Sequence, residues 1–117
     1  MEVTRISWIG VKTNSSEEFK KMTRIFSKIL HGWESSAGND YMHFSNGSTM
    51  IEVYYENSKR DEIVCGLEVE SIENAISEIK EMGLTLIGSK ECADGSCWQH
   101  FIMPDATEWE VKQSGRD

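Results

Sequence analysis

WQHFIMPDATEWEV, residues 98–111, decides how this chain is read. Trp98–Met103 is rich in aromatic and branched side chains, which suit a pleated, half-buried surface. Pro104-Asp105-Ala106-Thr107 reads as a turn, because proline presets φ and aspartate bonds to its own backbone. Glu108–Lys112 is then the return strand of a hairpin. Counted as a four-residue turn, this pairs Met103 with Glu108 and Phe101 with Glu110, and places His100 on the face opposite Glu110. Glu110 stands between Trp109 and Val111 and points away from both. If those two apolar neighbours pack on a helix, Glu110 looks out of the other side of the sheet.

The hairpin has an echo upstream. His43-Phe44, the turn Ser45-Asn46-Gly47-Ser48, then Glu52-Val53 repeats the order of His100-Phe101, turn, Glu110-Val111. A two- or four-residue turn at Asn46-Gly47 puts His43 on the face of Met50 and Glu52; a three-residue turn flips it. Outward from the hairpins, Arg5–Thr13 is a strand by pattern. Ser15 with Glu18 forms a capping box for a helix over 16–31, with Phe19, Met22, Phe26, Ile29 and Leu30 on one face and Gly32 as its stop. Trp33–Ser36 is a weak strand. The polar run Glu56–Glu62 links two halves. Ile63–Val69 is the next strand, Ser71 caps a helix carrying Ile72, Ala75, Ile76 and Ile79, Gly83 stops it, and Leu84–Lys90 is a strand followed by a loop over 91–95. Gly10 and Gly66 match in offset, as do Ser15 and Ser71. The expectation is an α+β fold in which a βαβββ module occurs twice, at about 3–56 and 62–112, within a single domain spanning 1–117.

Composition narrows the function. The chain has 117 residues and a net charge of −8, so nucleic acid is not an expected partner. No apolar run approaches the ~20 residues of a membrane span, and no basic-then-apolar leader opens the sequence. Three cysteines, Cys65, Cys92 and Cys97, give an odd count and no disulfide framework, which suits a reducing cytoplasm. Cys92, Cys97 and His100 have only a loose metal-like spacing and are read as unrelated.

The duplicated order, together with the ending Phe101–Val111 and the run Val64-Cys65-Gly66-Leu67-Glu68-Val69 before the Ser71 helix, resembles the vicinal oxygen chelate superfamily of glyoxalases, bleomycin-resistance proteins and dioxygenases. The resemblance covers about Arg5 to Lys112. It implies paired modules forming a curved mixed sheet around a cavity, helices outside, and a homodimer. It also implies metal-ligand positions at Glu52 and Glu110 on the last strands and at Trp8 and Val64 on the first strands. Tryptophan and valine cannot ligate, so half of the ligand set is missing. Two carboxylates alone would need water or other groups to hold a divalent ion.

The expected function is therefore a small-molecule binder of the bleomycin-resistance type, cytoplasmic and without cofactor. Its ligand-contacting residues would be Trp8, His43, Glu52, Trp98 and Glu110. Aromatic walls with carboxylates suit a cationic or aromatic organic ligand. The alternative is a metal-dependent lyase, isomerase or dioxygenase of the glyoxalase type that uses Glu52 and Glu110 with a divalent metal.

Overall fold

The structure is a computed structural model that describes residues 1–57 and 62–115. Its elements, in order, are β1 (Val3–Thr13), α1 (Ser16–Ile29), β2 (Glu34–Ala37), β3 (Tyr41–Ser45), β4 (Met50–Tyr55), β5 (Glu62–Val69), α2 (Ile72–Glu81), β6 (Thr85–Ala93), β7 (Ser96–Ile102) and β8 (Glu108–Gln113). The βαβββ order occurs twice, as the spacing predicts, in a mixed α+β fold. Most of the expected linker, residues 58–61, lies outside the described residues.

The chain falls into two compact units, one of Trp8–Val64 and one of Met1–Ser7 with the residues from Cys65 onward. In the first, the strand order is β2-β3-β4-β1. Trp8–Thr13 runs parallel to β4, and β4 runs antiparallel to β3. Ser15 caps α1, its hydroxyl accepting from Glu18 N. The apolar stripe of α1, which includes Phe19, Met22, Phe26 and Leu30, covers Val11, Phe44 and Val53. These three sheet residues are buried, Val53 completely. The helix ends two residues short of the expected 31, with Gly32 at φ 91 beyond it.

In the second unit the order is β1-β5-β8-β7-β6, with Val3–Ser7 as the contribution of β1. Ser71 caps α2 by accepting from Asn74 N, and Gln113 Oε1 accepts from Ile72 N, so β8 closes another open donor of the helix start. Ile72, Ala75 and Ile79 of α2 pack on Val69, Phe101 and Val111, with Trp109 and Ile76 at the margin.

Two expectations fail here. Residues 91–95 are not a loop: β6 runs on to Ala93, and Asp94-Gly95 makes the turn into β7. This puts Cys92 directly opposite Cys97, and the two form a disulfide with Cα atoms 4.1 Å apart. Cys65 stays free. The other concerns register. The turn after β7 takes five residues, with Met103 N donating to Thr107 O and Ala106 N to Met103 O. Ala106 sits in the left-handed region at φ 70, which absorbs the extra residue. Ile102 therefore faces Glu108, and His100 faces Glu110. His100 lies on the same face as Glu110, not the opposite one.

Candidate functional site

Each sheet has one face covered by its helix and one face turned the other way. Alternation places Trp8, Gly10 and Lys12 of β1 and Glu52 and Tyr54 of β4 on the open face of the Trp8–Val64 unit. Tyr41 and His43 of β3 join them as partners of Tyr54 and Glu52. The first hairpin has the four-residue turn, Ser45 facing Met50, which is the alternative that brings His43 to Glu52. Asn46 secures that turn, its Oδ1 accepting from Ser48 N and Thr49 N.

Gly10 explains the position of Trp8. A Cβ on Gly10 would stand 2.2 Å from Trp8 Cη2, so the indole lies across the glycine. From there Trp8 Nε1 donates to Glu52 Oε1 at 2.9 Å. The other carboxylate oxygen of Glu52 is 3.4 Å from His43 Nε2. Trp8 stacks on Tyr54 with ring centroids 6.3 Å apart, and Tyr41 lies 4.6 Å from the His43 ring. Glu52 thus sits among rings with its side chain 22% exposed. Lys12, buried on the same face, pairs with Glu62 at 2.7 Å and Glu56 at 3.7 Å. Tyr41, Tyr54 and Lys12 did not figure among the expected site residues. Two-residue alternation from Glu52 and His43 would have pointed to both tyrosines.

The open face of the other unit carries Trp98, His100, Glu108, Glu110 and Lys112. His100 is held from both sides: Nδ1 to Glu108 Oε2 at 2.5 Å and Nε2 to Glu110 Oε2 at 2.8 Å. Burial disfavours the imidazolium, but the bonds to Glu110 and Glu108 and their negative charges outweigh it, and the His100 pKa rises to about 9. At neutral pH the ring is a cation clamped between carboxylates. Glu110, an expected ligand-contacting residue, is buried at 7% exposure and paired with His100. Trp98 Nε1 donates to Glu91 Oε2 at 3.1 Å. Glu108 lies two residues before Glu110 on the same strand face, a spacing that would have revealed it. Buried Gln99 points the other way and donates to Ile87 O and Gly88 O, where the register of β6 on β7 shifts.

The residues at the resemblance's metal-ligand positions do not fit a metal. Trp8 offers only an N–H donor, already spent on Glu52. Val64 is wholly buried and has no donor atom. Both nitrogens of His100 face carboxylates. Among the described residues, no group of three or more His, Cys, Asp or Glu side chains is arranged to hold an ion. Among the same residues, no helix is long and apolar enough to cross a membrane.

The arrangement of elements has close counterparts among solved structures. The methylmalonyl-CoA epimerase of Mycobacterium tuberculosis superposes with a TM-score of 0.70, over 97% of this chain and 90% of that one, at 11% identity. This is the vicinal oxygen chelate fold. The same fold appears in Streptomyces coelicolor methylmalonyl-CoA epimerase in complex with 2-nitronate-propionyl-CoA, with a TM-score of 0.67, covering 98% of this chain and 100% of that one at 8% identity. A hypothetical protein of Bacillus halodurans matches with a TM-score of 0.67 over 97% and 96% of the two chains at 16% identity. At such identities the likeness is one of fold. No protein-family model matches the chain, and no curated protein matches it in sequence.

Proposed function

We propose that the protein binds a small aromatic organic cation, without a metal, on the open face of the Trp8–Val64 unit. One observation carries this reading: the Glu52 carboxylate is fixed by Trp8 Nε1 amid the rings of Trp8, Tyr54, Tyr41 and His43. Aromatic faces attract a cation through the ring quadrupole, and a fixed carboxylate supplies the counter-charge. The net charge of −8 favours the approach of a cation over an anion. Trp8 acts as both wall and positioning group, because its N–H decides where the carboxylate points. The partnered state of Glu110 leaves that residue a smaller part in charge recognition than Glu52.

The test is a tryptophan-fluorescence titration with matched cationic, neutral and anionic aromatic compounds. The cationic member is expected to bind at least tenfold more tightly than the anionic one. That preference should vanish in Glu52→Gln and persist in Glu110→Gln. Equal affinity for all three charge types, unchanged by Glu52→Gln, would rule the reading out.

A further inference from the structure

We infer that Cys92–Cys97 is a reversible redox clasp that fastens the tip of the β6–β7 hairpin and, with it, the Glu91 carboxylate on Trp98. The argument starts from register. β6 and β7 are paired at Thr85–Ile87 against His100–Ile102, and again at Glu91–Ala93 against Ser96–Trp98, with a break between Ile87 and Glu91. Gly88 at φ 66 begins the break, and Gln99 fills it from the β7 side. The tip is thus a short second ladder of three pairs, separated from the first by a bulge. Every residue of β6 from Ile87 to Ala93 is exposed, so almost no apolar burial holds the segment down. Beside that short ladder, its side-chain ties among the described residues include the Trp98–Glu91 bond and the surface ion pair of Lys90 with Glu73. An exposed pair of that kind contributes little. The disulfide is the covalent fastening of the tip.

It is also poorly placed to be a staple for the whole fold. The bridged residues are only 5 apart in sequence, so the cross-link removes little freedom from the unfolded chain. β7 is held independently by β8 along Cys97–Ile102, and Ser96 Oγ accepts from Gly115 N. Opening the bridge leaves β7 in its sheet and frees only the outer strand. Cys92 is exposed while Cys97 is half-buried, so an incoming thiolate meets Cys92 first.

The chemistry balances with a low-molecular-weight thiol as reductant. One thiolate attacks Cys92 Sγ, the S–S bond breaks, and Cys97 leaves as a thiolate that takes up a proton. A second thiolate attacks the mixed disulfide and releases Cys92, which is protonated in turn. Two thiols are oxidised to one disulfide while the protein gains two S–H groups. Small-molecule disulfide reverses both steps. The consequence falls on Trp98, next in sequence to Cys97: its indole N–H is occupied by Glu91 in the oxidised state and released when the tip opens.

The experiment uses the full chain in millimolar glutathione or glutathione disulfide. Alkylation and peptide mapping should show Cys92 and Cys97 becoming modifiable together in the reduced buffer. Hydrogen exchange should rise at least tenfold over Lys90–Ala93 and stay unchanged over Phe101–Ile102 and Trp109–Val111. Returning the protein to glutathione disulfide should restore protection. Cys92→Ser/Cys97→Ser should show the open pattern in both buffers. Equal tip protection in the two buffers, a bridge that glutathione leaves closed, or loss of protection throughout the unit on reduction would each overturn the inference.

Discussion

The ionisation of His100 is tied to folding. Its partners are two carboxylates on one strand, Glu108 and Glu110, so the folded state holds a proton that the unfolded chain releases near pH 6.5. Because the folded pKa is raised to about 9, the stabilisation is complete below pH 6.5 and is lost as pH climbs from there through 9. With the His100 side chain 24% exposed, the loss should come to about 1–2 kcal/mol after allowance for solvent screening. Urea unfolding at pH 6, 7.5 and 9 checks it, with His100→Gln expected to flatten the profile. A profile as steep in His100→Gln as in the parent protein would place the pH dependence elsewhere. Deprotonation also leaves Glu110 buried beside a neutral ring, so the same titration should loosen the β7–β8 pairing.

At the scale of elements, the hairpins show what was legible. Side-chain period, one capping box and the Ser71 cap anticipated the eight strands and two helices of the described residues, because these signals are local. Register was harder. In the first hairpin Asn46-Gly47 leaves turns of two, three or four residues open, and with them both facings of His43; contacts along β3 and β4 choose among them. In the second, Pro104-Asp105 marks a turn without marking its length, and a left-handed alanine is a weak cue where glycine would be a strong one. A single-residue slip of register was enough to misplace His100. The disulfide was missed for a related reason: Asp94-Gly95 is itself a two-residue hairpin signal, and reading it so would have set Cys92 against Cys97. Ala106 also supports a prediction. An L-residue in the left-handed region costs roughly 1 kcal/mol, partly offset by the greater freedom of glycine when unfolded. Ala106→Gly should therefore stabilise the protein by about 0.5 kcal/mol, and Ala106→Val should destabilise it by more than that. Denaturation midpoints at constant slope decide the matter; destabilisation by glycine would contradict the turn geometry.

At the scale of the whole molecule, the sequence repeat and the structural units do not share boundaries. The repeat runs module by module, yet Val3–Ser7 belongs with the residues from Cys65 onward. Glu70 N donates to Glu2 O, Thr4 Oγ1 donates to Glu68 O, and Arg5 pairs with Glu68. Periodicity could not reveal this, because a strand pattern does not name the strand beside it. Removing residues 1–7 should therefore injure a distant segment. Hydrogen exchange is expected to quicken in Gly66–Val69 while β4, paired to the retained Trp8–Thr13, keeps its protection. Loss of protection confined to β4 would contradict the division.

The split allegiance of β1 has a consequence for the order in which the protein is made. The ribosome delivers Val3–Ser7 first, but its partner strand β5 emerges some sixty residues later, a delay of several seconds at ~5–20 residues per second. During that interval Trp8–Thr13 can already settle on β4, while the leading half of the same strand waits as an unpaired edge open to other nascent chains. Synonymous codons that slow translation between β4 and β5 would lengthen that wait, and should lower the soluble yield of a protein whose sequence is unchanged.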